Sequence, residues 1–247
     1  MNIGFLYVTA KRVLLQLRED KRSIVLLLGA PVALMSLFYY MYSSTPAGLR
    51  LFETISTVMI AVFPLMLMFL LTSVTMQRER NAGTLERLWT TRIHRGDLIG
   101  GYSLAFGLMA IAQSLLMVLT LRYVLGVETA AEWWISTLIA AITGLIGVSL
   151  GLLSSAFASS EFQAIQTLPL VILPQFLLCG LLIPRENLPD VLRWISNALP
   201  LSYAVDAALE AAQTGMSQQV IMNILICMGF AAGFLTVAAL SMPRTSR

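Results

Sequence analysis

Six long stretches of this chain carry no charged residue: Ser23 to Leu49, Thr54 to Gln77, Leu98 to Leu121, Trp133 to Ser160, Phe162 to Pro184 and Ala211 to Pro243. A helix rising about 1.5 Å per residue crosses the hydrocarbon of a bilayer in about 20 residues, and every stretch reaches that length. Soluble cores rarely need buried helices so long or so many. The pattern predicts an all-α membrane protein of six transmembrane helices, a single transmembrane domain over residues 1–247. Polar positions between the stretches divide into three kinds. Residues 1–22 repeat Leu6, Ala10, Val13, Leu14 and Leu17 at helical spacing, with Lys11, Gln16 and Arg18 on other faces. This predicts an N-terminal amphipathic helix, either lying in the membrane interface or extending the first span into the cytoplasm. Residues 77–97 are strongly charged. Residues 184–215 alternate short apolar runs with turn signals.

Within 184–215, Asp190 to Leu199 places Val191, Leu192, Trp194, Ile195 and Leu199 at helical spacing, and Pro200 interrupts it. Ser202 is placed to cap a second helix from Tyr203 to Ala212, closing at Gly215. Each helix is too short to span. The pair either dips back into the membrane from the outer face or lies on the headgroups. Prolines at 31, 64, 169 and 174 fall inside spans one, two and five, where a missing N–H frees a carbonyl and kinks the helix; the fifth span is expected to be the least regular. Its Gln166 and Gln175 are costly against lipid and predict contact with protein or a wet path. The motifs Gly147-x-x-x-Gly151 and Gly229-x-x-x-Gly233 predict close helix approach, within or between subunits.

Composition sharpens this picture. The chain is 57% hydrophobic and 12% charged, with a mean hydropathy of +0.80. Taking the N-terminus as cytoplasmic places twelve of the sixteen Lys and Arg residues inside, which assigns both termini to the cytoplasm. The net charge of +3 then reflects topology and calls for no nucleic acid. Met1 to Ala10 has no basic n-region, so no secretory signal is expected. Cys179 and Cys227 fall in apolar stretches and read as small hydrophobes, and no metal site is expected.

The charged segment carries the chemistry. Its 21 residues, Gln77 to Asp97, hold eight of the chain's 29 charged side chains. Thr84 can cap a helix with Glu86 in its positive first turn. Leu85, Leu88, Trp89 and Ile93 share a stripe, with Arg87 and Thr91 turned away. Such a helix suits docking into a groove on another protein, or lying on anionic headgroups.

Arg78-Glu79-Arg80-Asn81-Ala82-Gly83-Thr84-Leu85-Glu86-Arg87-Leu88 resembles the signature of type-2 ABC transporter permeases (ABC-2). The likeness extends through Leu188-Pro189-Asp190-Val191-Leu192-Arg193-Trp194 and Pro200-Leu201-Ser202-Tyr203 before the last span. Thr91-Arg92 departs from the family, whose members often carry a proline there. The resemblance implies a coupling helix that meets an ATPase subunit, with Glu79, Arg80, Gly83, Thr84, Leu85, Glu86, Arg87, Leu88 and Trp89 as its contact residues. It implies that spans two and five line a path, with Phe63, Met66, Phe69 and Thr72 on one and Gln166, Leu170, Leu173 and Gln175 on the other. It also makes 184–215 a re-entrant outer gate, with Leu188, Pro189, Trp194, Pro200 and Tyr203 as candidates.

The chain's only lysines, Lys11 and Lys21, lack the Gly-x-x-x-x-Gly-Lys-Ser/Thr context of a phosphate-binding loop. ATP and Mg are therefore expected on a separate ATPase subunit, with no cofactor bound by this chain. The other partners implied are a second permease copy or close paralogue, membrane lipid, and a hydrophobic or amphiphilic cargo such as a drug, antibiotic or lipid. The implied location is a bacterial plasma membrane. No catalytic residue is expected: the sole histidine, His94, lies in the charged loop, so neither a serine–histidine pair within a span nor a His-Glu-x-x-His site can form. A secondary transporter or channel without an ATPase is the competing reading. No internal repeat favours it, and Glu53 and Glu161 lie at span ends.

Overall fold

A computed structural model describes residues 3–83, 95–127, 131–158 and 160–241. Among them, every regular element is helical: α1 (Ile3–Glu19), α2 (Lys21–Tyr42), α3 (Pro46–Asn81), α4 (Arg95–Leu119), α5 (Trp133–Phe157), α6 (Glu161–Leu178), α7 (Asp190–Asn197), α8 (Pro200–Thr214) and α9 (Gln218–Ser241). Six are long and apolar enough to cross a membrane: α2, α3, α4 with its continuation to Val124, α5, α6 and α9. The chain is a multi-pass membrane protein. One end of the bundle carries α1, the end of α3 and the start of α4; the other carries the α7–α8 hairpin.

Local chemistry sets the helix limits. Asp20 caps α2 by accepting from the Ser23 backbone N–H at 3.2 Å. Thr45 caps α3, accepting from Gly48 N–H at 3.1 Å, and Pro46 takes the first turn, where no N–H is needed. At 36 residues α3 is far longer than a bilayer needs. It projects Arg78, Glu79 and Arg80 beyond the apolar zone and stops where Gly83 adopts a left-handed φ of 67°. The helices run unbroken through Pro31, Pro64, Pro169 and Pro174. The irregular span is α4 instead, which widens into a π-helical turn at Thr120–Val124. Ser202 lies inside α8 rather than capping it, because Pro200 already occupies the first turn.

In lipid, apolar side chains gain little by leaving one hydrocarbon for another, so small residues that bring backbones together govern helix association. The central pair, α3 and α5, shows this directly. A methyl group added to Gly147 would overlap the Leu65 carbonyl, and one on Gly151 would sit 2.7 Å from the Phe69 carbonyl oxygen. A methyl on Gly144, on the same stripe, would lie 2.7 Å from Ala110 Cβ of α4 and 3.4 Å from Pro64 Cβ. The matching motif on α9 behaves differently: among the described residues nothing lies within 4 Å of a methyl group at Gly229 or Gly233. α1 is seated the same way: a methyl group added to Gly101 of α4 would lie 2.6 Å from Thr9 Cβ. Its Ala10, Val13 and Leu17 are buried, while Tyr7, Val8 and Leu15 are exposed.

Candidate functional site

Three consecutive side chains at the end of α3 each reach a different element. Glu79, in the last turn, accepts from Arg12 Nη2 of α1 at 2.8 Å. The same oxygen accepts from the Tyr102 hydroxyl of α4. Arg12 donates to the Tyr102 oxygen at 2.7 Å, and its guanidinium carbon lies 6.0 Å from the ring centre. The Glu79 side chain is only 8% exposed and that of Arg12 28%, so this triad is shielded from full solvent screening. Arg80 points the other way and donates to the Ser155 carbonyl of α5 at 2.5 Å. That places a cation at the negative C-terminal end of a helix dipole. Arg78, more exposed, pairs with Glu161 at the start of α6 at 3.0 Å and lies 3.9 Å from Asp20.

Asp20 is held as the carboxylate. Hydrogen bonds from the Ser23 hydroxyl and N–H, with the nearby Arg78 charge, lower its pKa below the ordinary range. Through Arg78, Glu79 and Arg80 the end of α3 is thus tied to α1, α4, α5, α6 and the cap of α2. Of the expected coupling residues, Glu79 and Arg80 belong to this knot, and Gly83 ends the helix that carries it. Thr84, Leu85, Glu86, Arg87, Leu88 and Trp89 lie outside the described residues. Sequence reasoning missed Arg12 and Tyr102. Arg12 was visible only as one of several basic residues, and Tyr102 as one aromatic in an apolar stretch.

The eight expected path residues do not meet on one surface of the chain. Phe63, Phe69 and Thr72 are buried in α3, with Met66 half-buried. Thr72 packs against α5, its Cβ 3.0 Å from where a methyl on Gly151 would lie. On α6, Gln166, Leu170 and Leu173 are exposed, whereas Gln175 is buried and donates to the Val171 carbonyl at 3.1 Å. Nine residues at about 100° each put Gln166 and Gln175 half a turn apart.

At the opposite end, the hairpin converges on a residue absent from the expected gate set. Arg185 donates to Ser196 Oγ at 3.0 Å, to Asn197 Oδ1 at 2.6 Å and to the Asp206 carboxylate. Its guanidinium carbon lies 5.3 Å from the Tyr203 ring centre. Burial pushes the Asp206 carboxyl up, an effect that the adjacent Arg185 opposes. Of the expected gate residues, Leu188 and Pro200 are buried, Tyr203 is half-buried and donates to the Asn197 carbonyl at 2.8 Å, and Pro189 and Trp194 are exposed. In the sequence Arg185 stands beside Glu186 and close to Asp190 and Arg193, so no local signal singles out Asp206, 21 residues later, as its partner.

Residues 5–212 match the family model described as ABC-2 type transporter. Similar proteins include the probable multidrug ABC transporter permease YbhS of Escherichia coli strain K12, 27% identical over 177 residues, which are 71% of this chain and 47% of that protein. The inner membrane transport permease YhhJ of the same strain is 28% identical over 182 residues, 73% of this chain and 49% of that protein. ABC transporter G family member 20 of Dictyostelium discoideum is 25% identical over 175 residues, 70% of this chain and 24% of that protein. The chain spans about half the length of these bacterial relatives.

Proposed function

We propose a function that starts from kinship: the chain belongs to the ABC-2 type transporter family and is a membrane component of an ABC transporter. On our reading it is the permease of an exporter whose ATP is hydrolysed, with Mg, on separate ATPase subunits. The observation that carries this reading is the knot at the end of α3. A docking helix at 84–93 would begin one residue beyond Gly83, so a push on it would reach α3 first. Glu79 then draws on α1 and α4, Arg80 on α5, and Arg78 on α6 and the α2 cap. Side chains already hydrogen-bonded across five elements transmit displacement with little slack, since fixing them costs no further side-chain entropy.

In this reading the α1 end faces the cytoplasm of a bacterial cell, with α1 along the inner interface and the α7–α8 hairpin at the outer face as the gate. The exposed α6 face, with Gln166, Leu170 and Leu173, lines a path completed by a second permease copy or close paralogue. A glutamine on a membrane span calls for such a polar or protein environment. The apolar lining suits a hydrophobic or amphiphilic cargo, a drug, antibiotic or lipid, moved out of the cytoplasm or inner leaflet; the multidrug name of one relative accords with that.

The test is co-purification of an ATP-hydrolysing subunit with the chain, followed by reconstitution into vesicles. Leu88→Pro is expected to abolish cargo-stimulated ATP hydrolysis while membrane insertion persists. Full transport by a preparation lacking any ATPase would instead establish a secondary transporter.

A further inference from the structure

We infer that the α7–α8 hairpin holds a lid, α7, latched shut by a polar cluster centred on Arg185, to which Tyr203 adds a bond to the Asn197 carbonyl at 2.8 Å. α7 and α8 are retained by different forces. α8 buries eight of its fifteen residues and is part of the core. α7 buries one of eight, Ser196, and leaves Val191 and Trp194 at 70% and 77% exposure. So α7 has little packing within the chain, chiefly Leu192 against α6, to keep it seated, and segments with few buried contacts open at low free energy. What holds it is polar. The Ser196 hydroxyl donates to the Leu178 carbonyl at the end of α6, at 2.9 Å. Its one proton is thereby used, so at the 3.0 Å contact with Ser202 it accepts, as it does from Arg185 Nε. Arg185 also fixes Asn197, the last residue of α7, while its other fork is anchored on Asp206 of α8. The guanidinium meets the three partners with three separate nitrogens, Nε, Nη1 and Nη2, a spread that an ammonium, with its donors on one atom, does not match.

The pin sits beside a built-in reporter. The Arg185 side chain crosses Gly180, whose φ of 100° and missing side chain leave room for it; a methyl there would lie 3.4 Å from Arg185 Cγ. Between that crossing and the Ser196 anchor on Leu178 lies Cys179, fully buried. The other cysteine, Cys227, is buried under the first residue of α8, its Sγ 3.8 Å from the Pro200 carbonyl. Both thiols lie in one buried cluster, Cys179 donating to the Phe176 carbonyl at 3.1 Å; on this inference, release of Arg185 opens the turn that carries Cys179 while Cys227 stays beneath α8. The lid rests on the proposed gate only for its place in transport; the pin itself is read from contacts within the chain.

The experiment is maleimide modification of the two native cysteines, in the full chain in membrane vesicles, followed by mass spectrometry of the labelled peptides. Arg185→Gln is expected to raise the Cys179 rate at least tenfold, with Cys227 unchanged. Ser196→Ala, which leaves no buried charge unpaired, should give a smaller rise at the same site. Arg185→Lys should fall between wild type and Arg185→Gln, because it keeps the pairing with Asp206 and loses the fork. An unchanged Cys179 rate in Arg185→Gln and Ser196→Ala, or an equal rise at both cysteines, overturns the lid. No ATP, cargo or ATPase enters the measurement, so its failure would leave the proposed transport function standing.

Discussion

Removing the Arg12 guanidinium tests whether the knot at the end of α3 holds the fold as well as the loop. In the native chain one Glu79 oxygen receives both Arg12 and Tyr102, while the other is buried without a partner among the described residues. Arg12→Met keeps much of the apolar stem and leaves a carboxylate, 8% exposed, with the Tyr102 hydroxyl alone. Breaking a fully buried pair costs about 3–5 kcal/mol. Arg12 is 28% exposed, so water reaches the site and softens the loss; about 2 kcal/mol is expected. Glu79→Gln removes the charge but keeps the shape, and the freed Arg12 can turn to solvent, for about 1 kcal/mol. The double variant leaves no stranded ion. It should therefore cost about 1 kcal/mol less than the two single losses added together. Reversible unfolding of the purified chain in mixed micelles, titrated with denaturing detergent, measures all four corners of the cycle. If the single effects add to within about 0.3 kcal/mol, the two side chains are not coupled and the knot is not a joint.

Gly147→Ala and Gly229→Ala make the same chemical change in the same motif and should diverge. The first forces α3 away by about 1 Å to restore an ordinary contact near 3.5 Å, and is expected to destabilise by about 1–3 kcal/mol. The second meets nothing and gains helix propensity; equal effects in thermal unfolding would refute the packing account. For Asp20 the folded pKa is lowered, chiefly by the Ser23 hydrogen bonds, so its contribution is present above the unfolded pKa of about 3.9 and disappears as pH falls through the folded value. Asp20→Ala should cost about 1 kcal/mol at pH 7, with the gap to wild type closing as the pH approaches 3. A gap that stays constant over that range would show that the cap does not depend on the charge.

Much of this molecule is written along the chain. Six spans, the charged segment between the second and third, and the two short helices near the end are all legible. So is the stop at Gly215, with φ of 72°. These features follow from free-energy terms that act within a turn or two of the residue concerned. They include the cost of a charge in hydrocarbon, the need to satisfy backbone groups there, and the freedom of glycine to reverse a helix end. The partners across the bundle are another matter. Nothing local joins Arg12 to Glu79 and Tyr102, or Arg185 to Asp206. Nor does anything local distinguish Gly147, pressed on a carbonyl, from Gly229, facing open space. A soluble helix advertises its buried side by an apolar stripe; a span that is apolar all round carries no such mark. Its rotation about its own axis is decided by which backbones can approach most closely, and only the assembled bundle decides that.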